Sequence, residues 1–99
     1  MDVKLVNRGT TGEVLLNGRL TSANAPEIEK IFMDVAAKFE TVILNLAGLE
    51  YTASSGLRII LRLHQTMTKK GGALQIKDAS PMVMEVLEMT GMASYLTFV

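Results

Sequence analysis

Ninety-nine residues allow one domain, and a chain of this size buries only roughly 60–65% of the surface exposed when unfolded. Ten basic and ten acidic residues cancel, so the excess of positive charge expected of a nucleic-acid binder is absent, and direct nucleic-acid contact is not expected. With no cysteine, disulfides, thiol nucleophiles and thiolate metal sites are excluded.

Val3 and Leu5 alternate with Lys4, Arg8-Gly9-Thr10-Thr11-Gly12 supplies turn residues, and Val14, Leu15 and Leu16 resume an apolar run. The pattern predicts a hairpin of two short strands. Arg19 to Ala23 reads as a polar connection, and Asn24 is the expected cap of a helix with Pro26 in its first turn. Ala25, Ile28, Phe32, Val35 and Phe39 fall on one face of that helix. Lys30, Asp34 and Lys38 fall at i,i+4 spacing on its wet side.

Thr41 to Leu46 is nearly continuous in apolar residues and predicts a central strand covered on both faces. A small-residue turn follows, Ala53-Ser54-Ser55-Gly56, and leads directly into a second helical pattern. Leu57, Ile60, Leu61, His64 and Met67 form one stripe, widened by Ile59 and Leu63, while Arg58, Arg62, Gln65 and Lys69 form another. Lys69 and Lys70 place positive charge at this helix's negative end, before the stop at Gly71-Gly72. Ala73 to Lys77 reads as a strand. Ser80 caps a third helix with Pro81 as its first residue, Gly91 ends it, and Tyr95 to Val99 reads as a last strand.

The order of hairpin, helix, strand, helix, strand, helix, strand specifies a single domain over residues 1–99 of α/β class. The sheet is mixed and mostly parallel, of about five strands with three main helices. Sites in such sheets gather at the carboxyl ends of strands, which is where Gly48 to Gly56 falls. No run is long enough to span a bilayer and the N-terminus lacks the pattern of a signal peptide, so a cytoplasmic protein without membrane contact is expected.

Enzyme chemistry is short of parts. The one histidine, His64, lies ten residues beyond Ser54, roughly 15 Å down the same helix, out of reach as that serine's base. Phosphate-binding and dinucleotide-binding glycine patterns are missing, and no clustered ligand set suggests a metal or another cofactor. Met82, Met84, Met89 and Met92 crowd the third helix and its exit, where core packing is the plainer reading. Serine at a helix start is ordinarily a cap, and Ser55 is the candidate.

The stretch Asn45-Leu46-Ala47-Gly48-Leu49-Glu50-Tyr51-Thr52-Ala53-Ser54-Ser55-Gly56-Leu57-Arg58 resembles the D-L-S-x-L-x-[FY]-[IM]-D-S-[SA]-G-L signature of STAS domains of the anti-sigma-factor-antagonist type. The resemblance extends to Leu16-Asn17-Gly18-Arg19-Leu20, which is similar to the family's L-x-G-x-[LI]-D, to Gly71-Gly72, and to Ser80-Pro81 through Thr90-Gly91. It implies a non-enzymatic partner switch with no cofactor. The unphosphorylated protein binds an anti-sigma factor that is itself a serine kinase. Phosphorylation of the serine matched by Ser54 releases it, and a PP2C-type phosphatase resets the system. Thr21, Ser22, Thr52, Ala53, Ser55, Gly56 and Arg58 fall on or beside the implied partner-binding surface. Ala53 and Thr21 stand where the family carries acidic residues. The alternative within the fold is a stand-alone STAS subunit of another assembly, such as a lipid-transport or sensory complex, without phosphorylation.

Overall fold

A computed structural model describes residues 1–99. β1 (Asp2–Arg8) and β2 (Thr11–Leu20) form an antiparallel hairpin whose turn uses Gly9 at φ 78°, a left-handed conformation that suits glycine. α1 (Ala25–Lys38), β3 (Thr41–Thr52), α2 (Ser54–Lys69), β4 (Ala73–Lys77), α3 (Pro81–Met89), a 3₁₀ turn at Met92–Ser94 and β5 (Thr97–Phe98) follow. The sheet order is β1-β2-β3-β4-β5, with every pair after the hairpin parallel. The α/β class, the mixed sheet and the three helices agree with expectation, and β3 is the middle strand.

Along β3, Val42, Leu44 and Leu46 are buried while Thr41, Ile43 and Asn45 keep partial access to solvent. The expectation of cover on both faces is therefore corrected. The register aligns Leu44 with Val14 and Ile76, and all three join one apolar core with Phe32 and Val35 of α1 and Ile60, Leu63 and Met67 of α2. Strand residues on the core side alternate with those on the open side, so period-two geometry overrides the continuous hydrophobicity of the sequence.

That open face carries Glu13, which is buried to 4% exposure. Asn45 Nδ2 donates to its Oε2 at 2.9 Å, and Arg8 donates to Oε1 from Nε and Nη2 at 3.2 and 3.0 Å. These hydrogen bonds, that of Asn45 foremost, together with the charges of Lys77 and Arg8, hold the carboxyl below its usual range against the opposing effect of burial.

Several local expectations change. Asn17-Gly18 and Arg19 lie within β2, whose register against β3 shifts between Leu15 and Asn17 and again between Gly18 and Arg19. The bulged strand presents the Asn17 side chain where a Cβ on Gly48 would sit, so any other residue at 48 requires Asn17 to move. Asn24 does not cap α1 with its side chain. Its Oδ1 instead accepts from the Thr21 amide at 2.8 Å and its Nδ2 donates to the Arg19 carbonyl at 2.9 Å, closing the connection between β2 and α1.

Lys30, Asp34 and Lys38 form no ion pairs; the two in the protein are Arg8–Glu13 and the cross-helix Arg62–Glu29. Lys70 serves the end of α1 and not that of its own helix, donating from Nζ to the carbonyls of Ala36 and of Phe39, the latter at 3.0 Å. On α2, Ile59, Ile60, Leu63 and Met67 face the core, whereas Leu57, Leu61 and His64 are half-buried. Ser80 does cap α3, its Oγ accepting from the Val83 amide at 3.2 Å. Met92 is core, but Met82 and Met89 are 61% and 79% exposed, against the packing role expected of them. The last strand shortens to Thr97–Phe98, because Met92–Ser94 tightens into a 3₁₀ turn that buries Met92 and is followed by buried Leu96. No helix is long and apolar enough to cross a membrane.

Candidate functional site

The carboxyl ends of β2 and β3 run side by side, Leu20 opposite Thr52. The Ala53 amide donates to the Leu20 carbonyl at 2.8 Å, which ties the first residue after β3 to β2. The chain then turns at once into α2, with extended Ala53 (ψ 171°) in the N-cap position and no side chain capping it. The amides of Gly56 and Leu57 donate to the Ala53 carbonyl at 3.0 and 3.2 Å. Ser54 is thus the first helical residue, held on a short, hydrogen-bonded strand-to-helix junction.

The two serines differ sharply. Ser54 is exposed. Ser55 is half-buried, and its Oγ is shut from solvent without any hydrogen-bond partner. Its expected role as a cap is corrected: Ala53 holds the N-cap position, Ser55 lies one residue inside the helix, and its hydroxyl accepts no helix amide. An unpaired buried hydroxyl is a cost to folding.

Gly56 explains why the junction is so tight. A Cβ there would lie 2.7 Å from Cγ and Cδ2 of Leu20 and closer still to the Thr52 hydroxyl, so the helix start rests directly on the strand ends. Thr52 is buried at 8% exposure and donates from Oγ1 to the Ala53 carbonyl at 3.1 Å. Thr52 and Gly56 therefore form the shelf beneath the surface. Ser22, Ser54 and Arg58 are exposed on it, and Thr21, Ala53 and Ser55 partly so. All the residues singled out in the sequence except Thr21 and Ser22 lie along one junction, and those two reach it through the end of β2.

Ser22, Glu29, Ser55, Arg58 and Arg62 line a shallow cleft of about 190 Å³ between the starts of α1 and α2. Arg62 Nη1 donates to Glu29 Oε2 at 2.7 Å across it. On the other side of the junction the Arg19 guanidinium sits 4.4 Å from the centroid of the Tyr51 ring, a cation–π arrangement. α2 has no acidic residue in its first turn. The site is accordingly an open surface with arginines along its edge and not an enclosed pocket; a larger cavity, about 580 Å³, lies down α2 around Met33, Gln65, Thr68 and Lys69.

Arg19, Tyr51, Glu29 and Arg62 were not anticipated as parts of this surface. Arg19–Tyr51 depends on the bulged register of β2 on β3, which leaves no local pattern. Arg62–Glu29 depends on helix packing, although the stripe through Arg58 and Arg62 places Arg62 on the relevant face. His64 stacks obliquely on Tyr95, ring centroids 5.1 Å apart, and so is engaged at the opposite end of α2 from Ser54. No group of three or more His, Cys, Asp or Glu residues is arranged to hold a metal ion.

The chain matches the STAS domain family over residues 3–99. It is 35% identical over 80 residues to the candidate anti-sigma factor antagonist BtrV of Bordetella bronchiseptica. It is also 32% identical over 82 residues to the anti-sigma F factor antagonist of Paenibacillus polymyxa. Each alignment takes in 80% of this chain and 69% of the relative. The fold is similar to that of the anti-sigma factor antagonist SpoIIAA in its unphosphorylated form, with a TM-score of 0.80 over 99% of this chain and 87% of that one at 18% identity. It is equally similar to SpoIIAA from Bacillus in the phosphorylated form, with a TM-score of 0.79 over 99% of this chain and 91% of that one at 19% identity. At such identities the structural likeness carries the fold, and the sequence matches carry the kinship. The chain belongs to the STAS domain family, among the anti-sigma factor antagonists.

Proposed function

We propose that this protein acts in the cytoplasm as a partner switch. It binds an anti-sigma factor with serine-kinase activity when unphosphorylated and releases it when Ser54 is phosphorylated. The observation that carries the reading is the contrast at the junction: Ser54 is exposed at the first position of α2, whereas the Ser55 hydroxyl is buried. Only the first can enter a kinase active site without unfolding the helix start. The kinase would move the γ-phosphoryl group of ATP to Ser54 Oγ, with loss of the hydroxyl proton and release of ADP. A PP2C-type phosphatase would hydrolyse the ester and restore the serine. The protein contributes a substrate and a docking surface, not catalysis.

The physics favours a block at the interface. A phosphate adds about −1.5 to −2 charges, which uncapped amides and the helix dipole tolerate at the start of α2. The same group pressed into a protein interface loses its water, and an uncompensated buried charge costs several kcal/mol, enough for two or more decades in affinity. Thr21, Ser22, Ala53, Ser55 and Arg58 supply the contact surface in this reading, with Thr52 and Gly56 shaping it from below.

Incubation with the cognate anti-sigma kinase and ATP tests the assignment: mass spectrometry should find one phosphate, on Ser54, and none on Ser54→Ala. Phosphate on another residue of the variant would overturn it. The alternative, a subunit of another assembly that is never phosphorylated, takes its support from Ala53 and Thr21 in place of the acids. Co-purification separates the two, an ATP-binding kinase favouring the first and a transporter or sensor subunit the second.

A further inference from the structure

Three arginines, Arg19 on β2 and Arg58 and Arg62 on α2, lie on this surface, and two of them are engaged. Arg62 is paired with Glu29 at 2.7 Å, and Arg19 lies over the Tyr51 ring at 4.4 Å. Arg58 has no ion pair, no hydrogen bond and no aromatic partner, and it is exposed. It sits four residues beyond Ser54 on the same helix, a spacing that brings Cβ atoms within about 5–6 Å on one face. No carboxylate in the first turn of α2 competes for it, and Ala53 offers none beside Ser54.

We propose that Arg58 is the counter-ion of the Ser54 phosphate, closing on it in cis as soon as the ester forms. The inference rests on Ser54 being the modified residue. A guanidinium matches phosphate oxygens with two parallel N–H donors, and the bond is charge-assisted on both sides. Phosphorylation then changes the rim twice over: it adds a dianion, and it withdraws a cation that an unphosphorylated surface offers to a partner's carboxylate. The i,i+4 pair also runs with the helix dipole, anion toward the amino end and cation toward the carboxyl end, so α2 is reinforced and not frayed.

The test uses the full chain with phosphoserine installed at position 54 during translation, so that no kinase is needed, and follows the phosphate by ³¹P NMR as pH is varied. The cation favours the dianion, so the second phosphate pKa should lie about half a unit lower with Arg58 than in Arg58→Gln. Replacing that ion pair whole, with Arg62→Gln together with Glu29→Gln, should leave the value where the Arg58 protein has it, because no carboxylate is then freed beside Arg58. Equal values with and without Arg58, or a larger effect from the double variant, overturn the pairing and leave the switch standing. A kinase that ignores Ser54 overturns the switch and leaves this measurement unaffected.

Discussion

Gly56→Ala probes the contact on which the whole junction is built. The added methyl would lie 2.7 Å from two carbons of Leu20, a side chain with no exposure. Carbon atoms rest at about 3.5–4.0 Å, so the helix start must move by about 1 Å or Leu20 must leave its place. Overpacking of this kind costs about 1–3 kcal/mol. Alanine recovers up to about 1 kcal/mol of helix propensity, less in the first turn than in the interior. The balance is a loss of about 1–2 kcal/mol, which for a domain of this size lowers Tm by about 5–15 °C. Thermal and urea unfolding of the two proteins measure it, and amide chemical shifts at Ala53 and Ser54 should move with the displaced helix. A variant that melts at or above the parent would refute the reasoning, since propensity would then outweigh contact and the shelf would be softer than described.

Ser55→Ala should raise stability by about 1 kcal/mol, because it deletes a buried hydroxyl without a partner; a loss of similar size would show that the hydroxyl caps the helix after all. Glu13 has its folded-state pKa below 4.5, so its contribution is full above that value and is lost as pH falls through the lowered one. The Tm difference between the parent and Glu13→Gln should accordingly shrink between about pH 7 and about pH 3, and a constant difference would contradict the network around it. Ala53→Asp restores a negative charge next to the phospho-acceptor. It should slow accumulation of the phosphorylated form through repulsion of the incoming dianion, and unchanged phosphorylation kinetics would reject that role for Ala53.

Legibility in the sequence followed the range of the interactions. The core face of α1, from Ala25 through Ile28 and Phe32 to Val35, and the Ser80 cap of α3 could be read directly, because each is written within a few residues; Phe39 is buried as expected but lies just past the helix, in extended conformation. Asn24 misled although its partners are just as near in sequence: its context specifies a cap, but the Thr21 amide and the Arg19 carbonyl, three and five residues back, take both ends of its side chain. Lys70 and Arg62 find partners more than 30 residues away, on α1, in preference to their own helix. Ser54 was visible as one of two adjacent serines, and its resemblance to a family signature marked it out. That one serine is exposed while the hydroxyl of the next is buried without a partner appears only in the folded chain. Met82 and Met89 could not be assigned by type, since methionine suits both cores and exposed surfaces.

The central claim is that phosphate on Ser54 blocks docking without disturbing the fold. Calorimetric titration of the cognate anti-sigma kinase with the protein carrying serine or phosphoserine at 54, each checked by its NMR fingerprint, tests it most directly. The account predicts near-native fingerprints for both forms and an affinity at least about 100-fold weaker for the phosphorylated one. Equal affinities would contradict the switch, and a collapsed fingerprint would show that release comes from unfolding and not from a charge held at the interface.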